Sequence, residues 1–111
     1  MSAKANLLIN QGTDFSTSMT MTGDDGFPTD LTGYTGAGQI RKHYSSESFT
    51  NLDIVFGADR TDGVVTIELG RSISEGMEAG RYVYDVEITS GANTRTRLVE
   101  GLVTLSPQVT R

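Results

Sequence analysis

No cysteine occurs anywhere in the 111 residues, which excludes disulfide staples and thiolate metal sites. That absence fits assembly in a reducing cytoplasm. Tryptophan is also missing, histidine occurs once and proline twice. With no thiol, the nucleophile–base pairs of hydrolases reduce to one candidate base, His43. It falls mid-strand beside Lys42 and Tyr44, where a surface imidazole is the expectation. No Gly-x-Ser-x-Gly elbow, phosphate loop or dinucleotide fingerprint is present. Asp24, Asp25 and Asp30 share one loop and Asp59 and Asp62 another, but without the spacing of a calcium loop. They read as turn aspartates. The expected protein is not an enzyme and holds no cofactor and no metal.

Long apolar runs are lacking as well. Met1-Ser2-Ala3-Lys4-Ala5-Asn6 leads into only three apolar residues, Leu7 to Ile9. A signal peptide needs a longer run and a membrane helix about 20 residues. The expectation is a soluble chain with no cleaved signal and no membrane partner. Basic clusters are equally scarce in a chain of net charge -5. Arg41-Lys42-His43 alternate between faces of one strand, and Arg95 and Arg97 form a second small pair. Both suit solvated strand positions or ion-pair partners, so no nucleic acid is expected. The acidity would complement a basic surface on a partner.

Period-2 alternation is what the chain does have. Tyr82, Tyr84, Val86 and Ile88 alternate with Arg81, Val83, Asp85 and Glu87, the pattern of a strand with one buried face. Phe15, Thr17, Met19 and Met21 alternate with Ser16, Ser18, Thr20 and Thr22. Further extended segments fall at about 6–10, 37–44, 52–56, 64–69 and 94–105. Gly36 and Gly38 leave the start of the 37–44 segment poorly filled, so another side chain or backbone is expected to approach closely. Turn chemistry separates the strands: Gly23-Asp24-Asp25-Gly26-Phe27-Pro28, Asp62-Gly63 and Ser90-Gly91-Ala92-Asn93. Ser72-Ile73-Ser74-Glu75 has capping-box spacing, with Ile73 and Met77 four apart, which predicts one helical turn stopped by Gly76 and Gly80. Seven short strands and one helical turn in a single domain, residues 1–111, point to an all-β antiparallel sandwich; a small barrel is the rival. The parity predicts a core of Phe15, Met19, Met21, Ile40, Leu52, Ile54, Phe56, Val65, Ile67, Leu69, Tyr82, Tyr84, Val86, Ile88, Val99 and Val103.

Two features extend this pattern. Glu78 lies four residues before Tyr82 and Gly80 two before it, similar to the approach to the penultimate strand of immunoglobulin-like sandwiches. There a tyrosine bonds back to upstream backbone, so Tyr82 is the candidate tyrosine corner. The other feature is apolar residues on both parities: Leu98 and Leu102 oppose Val99 and Val103, and Val83 lies on an otherwise charged face. Val83, Leu98 and Leu102 are the candidate protein-contact residues.

Several phrases occur in order along about 80 residues. They are Asp30-Leu31-Thr32-Gly33-Tyr34, Gln39-Ile40-Arg41-Lys42, Asp62-Gly63-Val64-Val65, Ala79-Gly80-Arg81-Tyr82-Val83-Tyr84-Asp85, Arg97-Leu98-Val99-Glu100-Gly101 and Val103 to Arg111. The series resembles small virion structural proteins of tailed bacteriophages, and the immunoglobulin-like amino-terminal module of phage baseplate upper proteins. The resemblance implies an immunoglobulin-like sandwich that docks in the tail or baseplate, without the stalk or receptor-binding part that follows this module there. It implies other virion proteins as partners, a multi-copy or oligomeric state, and a place in the virion after assembly in the host cytoplasm. Capsid decoration on the head surface is the alternative within the same class. A carbohydrate-binding module is the alternative from another class, with Phe27 and Tyr34 as its candidate stacking rings.

Overall fold

The computed structural model describes residues 3–109, and among them eight strands form: the seven expected segments and a short extra one ahead of the first. Met1-Ser2 and Thr110-Arg111, the outermost residues of the two quoted terminal stretches, lie outside that range. The strands are β1 (Ala3–Lys4), β2 (Leu7–Asn10), β3 (Phe15–Thr20), β4 (Thr35–Arg41), β5 (Thr50–Phe56), β6 (Val64–Leu69), β7 (Gly80–Thr89) and β8 (Arg95–Ser106). A 3-10 turn spans Arg60–Asp62, and one helical turn, α1, spans Arg71–Glu75. The order across the sheet is β1-β8-β7-β4-β5-β6-β3, with β2 also beside β8.

This is an all-β, immunoglobulin-like sandwich whose two layers share one strand. β4, β7 and β8 take the places of strands C, F and G, and β3 and β6 those of B and E. The first half of β5 pairs with β4, Leu52 opposite Gly38. Its second half pairs with β6, Ile54 opposite Ile67. The curled sheet therefore turns its corner along β5. It does not close into a barrel, because β3 pairs with β6 and not with β1 or β2.

One departure from an antiparallel sandwich is at the N-terminus. β1 and β2 run parallel to β8, Ala3 opposite Val99 and Leu7 opposite Val103. Nearly the whole chain separates these strands, so no hairpin turn dictates their direction. Between β1 and β2 the chain crosses close over Gly101. A Cβ there would lie 2.1 Å from the Ala5 carbonyl oxygen. The Asn6 side chain then accepts the Leu102 N–H (3.1 Å), standing in for a ladder bond.

The inward residues of both layers form one core, including Ile40, Leu52, Ile67, Leu69, Tyr84, Val86, Val99 and Val103. Phe15, Met19, Ile54 and Tyr82 are half-buried against it. Ile54 fills the space above Gly36 and Gly38, where a Cβ would meet its side chain at 2.6 and 3.1 Å. Met21 and Phe56 fall outside that cluster and are half-buried at the end of the sandwich. Ile9, Leu31 and Leu105 are fully buried, though the parity reading does not single them out. The helical turn is capped differently from a capping box. Gly70 is the N-cap residue, and Asp14, reaching across from the β2–β3 connection, accepts the Arg71 N–H at 3.0 Å.

Candidate protein-contact site

The corner before β7 turns on Tyr82. Its hydroxyl donates to the Glu78 carbonyl at 2.5 Å, four residues upstream, across a bend in which Gly80 adopts φ 139°. The Lys42 ammonium lies 4.7 Å from the centre of the Tyr82 ring. Burial pushes the Tyr82 phenol above its ordinary value, and the Glu78 carboxylate adds to the effect. Two residues on, Tyr84 is buried and its hydroxyl donates to the Ala5 carbonyl at 2.6 Å. Burial raises that phenol as well.

The outward side chains of β4, β7 and β8 make the face that this frame presents. Val83 stands opposite Leu102 on β8 and opposite Arg41 on β4. Leu8 on β2 stands opposite Thr104, and so lies diagonally beside Leu102. Leu8 is 63% exposed and Leu102 39%, with Val83 half-buried between charged neighbours. Three adjacent strands thus carry an apolar stripe across a polar face.

A shallow cleft of about 230 Å³ borders the stripe. Arg97 lines it, 3.4 Å from the Asp85 carboxylate and 3.6 Å from that of Glu100. Arg41 donates to the Gln39 side chain at 2.9 Å and to the Ser46 carbonyl, and its guanidinium stacks 4.9 Å from the Phe49 ring centre. Tyr44, 76% exposed, stands at the rim. Of the basic residues read from the sequence, the Arg41, Lys42 and Arg97 side chains are therefore engaged in local ion pairs, hydrogen bonds or ring contacts.

Leu98 does not join Val83 and Leu102. The β7–β8 register shifts between Val86 and Glu87, so that Val86 faces Val99 while Glu87 faces Arg97. Leu98 is the extra residue of this bulge, and it turns inward to pack against the core. Phe27 is exposed on a hairpin tip and Tyr34 is half-buried in the loop before β4; neither lines the cleft.

Arg60 has a role that no sequence pattern announces. Its guanidinium donates to the Leu31 carbonyl (3.1 Å) and the Tyr34 carbonyl (3.0 Å) and stacks 4.3 Å from the Phe56 ring centre. It clamps the loop that buries Leu31. Flanking it, Asp30 accepts from the Thr32 hydroxyl and N–H, and Asp59 from those of Thr61. These hydroxyl and amide donors hold both exposed carboxyls below the usual carboxylate value. Among the described residues no group of three or more His, Asp or Glu side chains is placed to hold a metal ion, and no helix is long and apolar enough to cross a membrane.

The sequence matches no protein-family model and no curated protein.

Proposed function

We propose that this protein is a non-enzymatic structural component of a tailed-phage virion, a small module that docks in the tail or baseplate. The observation that carries the reading is the exposed stripe of Leu8, Leu102 and Val83 across three strands. Apolar side chains aligned on a charged face suit burial against a partner better than contact with water. The immunoglobulin-like frame and the resemblance of the ordered phrases to baseplate modules support the same reading. Decoration of the capsid surface uses the same face against a different lattice. The tail is preferred because the resembling module belongs there.

Leu102→Asp tests the proposal. Its side chain points outward, so the isolated fold should persist, with an unchanged circular dichroism spectrum and urea midpoint. Incorporation into particles, followed by mass spectrometry of purified virions, should be lost. Normal incorporation of the variant, or wild-type protein found in lysate but never in virions, overturns the assignment. One observation favours sugar binding as the second reading: exposed Tyr44 stands over a cleft lined by Gln39, Asp85, Arg97 and Glu100. That reading requires oligosaccharide binding that survives Leu102→Asp and disappears in Tyr44→Ala.

A further inference from the structure

Both ends of the curled sheet are open, but they are not alike. The β1/β2 end is short, interrupted at Ala5-Asn6 and flanked by Lys4, the devices that discourage edge pairing. β3 has none of them. Its six residues, Phe-Ser-Thr-Ser-Met-Thr, contain no charge and no proline and pair with β6 in unbroken register. In a constant-type immunoglobulin sandwich, strand A lies beside strand B. Here residues 3–10 run beside β8 instead, and among the described residues the outer side of β3 has no neighbouring strand.

The phase of the ladder says which groups are free. The Met21 N–H donates to the Gly63 carbonyl (2.8 Å), and Met21 and Gly63 continue the β3–β6 register. Antiparallel pairs alternate between bonded and non-bonded, so Phe15, Thr17 and Met19 bond to β6. Ser16, Ser18 and Thr20 turn their backbone N–H and C=O groups to the open side. Next to that side lies an apolar cleft of about 160 Å³, between Thr17 and Met19 on one wall and Ala5 and Leu7 on the other.

We propose that a second copy of this chain occupies the open side, with β3 pairing antiparallel to β3 of its twin about a two-fold axis at Ser18. In that register Ser18 faces its own counterpart, and Ser16 and Thr20 face each other twice. Each of the three pairs forms two backbone bonds. Side-chain parity is kept, since Thr17 then stands beside Met19 on the inner face of the joined sheet. The outer face brings only hydroxyl side chains together, a favourable cross-strand combination. Charge selects this edge for self-association. Two chains of net charge -5 repel, yet from residue 3 to residue 23 the charged side chains are Lys4 and Asp14 alone. The β3 edge is where two copies can meet without setting like charges opposite each other. The joined clefts, one from each copy, close over Met19 and Leu7.

Sedimentation velocity on the full chain over a wide concentration range is the primary test, expected to show a reversible monomer–dimer equilibrium. Ser18→Pro removes a free N–H without touching the β6 ladder, and Ser18→Lys sets like charges opposite each other. Each should weaken dimerisation at least about tenfold, which for Ser18→Pro is the scale of the two backbone bonds lost across the axis, with circular dichroism unchanged. Ser18→Cys provides a readout that does not depend on these variants folding well. The paired Cα atoms would be about 5.5 Å apart, within disulfide range. The chain has no other cysteine, so mild oxidation should yield a covalent dimer in Ser18→Cys and not in Val55→Cys, exposed on β5. A wild-type chain that stays monomeric throughout, leaving the edge to a strand of a different protein, overturns the proposal. So does a dimer that Ser18→Lys leaves undiminished, or equal oxidation of the two cysteine variants.

Discussion

The Tyr84 hydroxyl and the Ala5 carbonyl, 79 positions apart in the chain, lie 2.6 Å from each other. That bond ties the N-terminal crossover to the buried face of β7. The Ala5 N–H donates in turn to the Glu100 carbonyl at 3.0 Å, so the crossover is held from both sides.

Tyr84→Phe should cost about 0.5–1.5 kcal/mol, the net worth of one hydrogen bond, because the ring is buried while Ala5 itself is exposed. Amide exchange should accelerate first at Leu7 to Asn10. Tyr84→Ala should cost about 3–5 kcal/mol through the cavity it leaves. Urea midpoints and hydrogen exchange check both; a Tyr84→Phe variant with wild-type stability and exchange would show that the bond contributes little.

Stability should fall at both extremes of pH for separable reasons. Tyr82 and Tyr84 have phenols raised above the ordinary 10.0. In the unfolded chain they ionise near 10.0, while in the fold they stay neutral. Their contribution is full below pH 10.0 and is lost as pH rises through the folded values. Asp30 and Asp59 have carboxyls held below 3.8. Their contribution is present above pH 3.8 and is lost as pH falls through the folded values. Thermal midpoints across pH should show a flatter alkaline limb in Tyr82→Phe/Tyr84→Phe. A flatter acid limb is expected in Asp30→Asn/Asp59→Asn, which keeps an acceptor in each turn. Limbs that do not change in these variants assign the losses to other groups.

Arg60→Ala should destabilise by about 1–3 kcal/mol, since two backbone carbonyls lose a charged donor and the Phe56 ring loses its cation. Arg60→Lys should recover only part of this, because an ammonium lacks the flat surface that stacks on Phe56. The exchange rate of the Tyr34 amide, bonded to the Leu31 carbonyl at 3.1 Å, reports the loop directly. Equal stability of all three proteins would remove Arg60 from the account.

Local alternation makes β7 legible: Tyr84, Val86 and Ile88 are buried because each occupies the same parity. The corner is legible for a similar reason, since Glu78, Gly80 and Tyr82 are close in sequence. Leu98 escapes parity because one inserted residue in β8 moves it to the other face, and a bulge leaves no mark in hydropathy. Leu31 escapes because it sits in a polar loop and owes its burial to Arg60, far along the chain. The helix cap escapes because Asp14 comes from another connection while Ser72, at the expected spacing, lies two residues past the N-cap Gly70. Of the contact face, Val83 and Leu102 stand out as apolar residues among charges. Leu8 becomes part of it only once β2 is seen to lie beside β8.

The parallel arrangement of β2 and β8 has a mechanical consequence. Where neighbouring strands run the same way, the start of one and the end of the other lie at opposite ends of the shared ladder. Tension entering at Ala3 and leaving at Ser106 therefore slides the two strands lengthwise past each other. Every bond from Leu7–Val103 to Asn10–Ser106 is strained at once, and none can peel open ahead of the rest. Under such a load the lifetime of the fold is set by its rate of forced unfolding and not by its equilibrium stability.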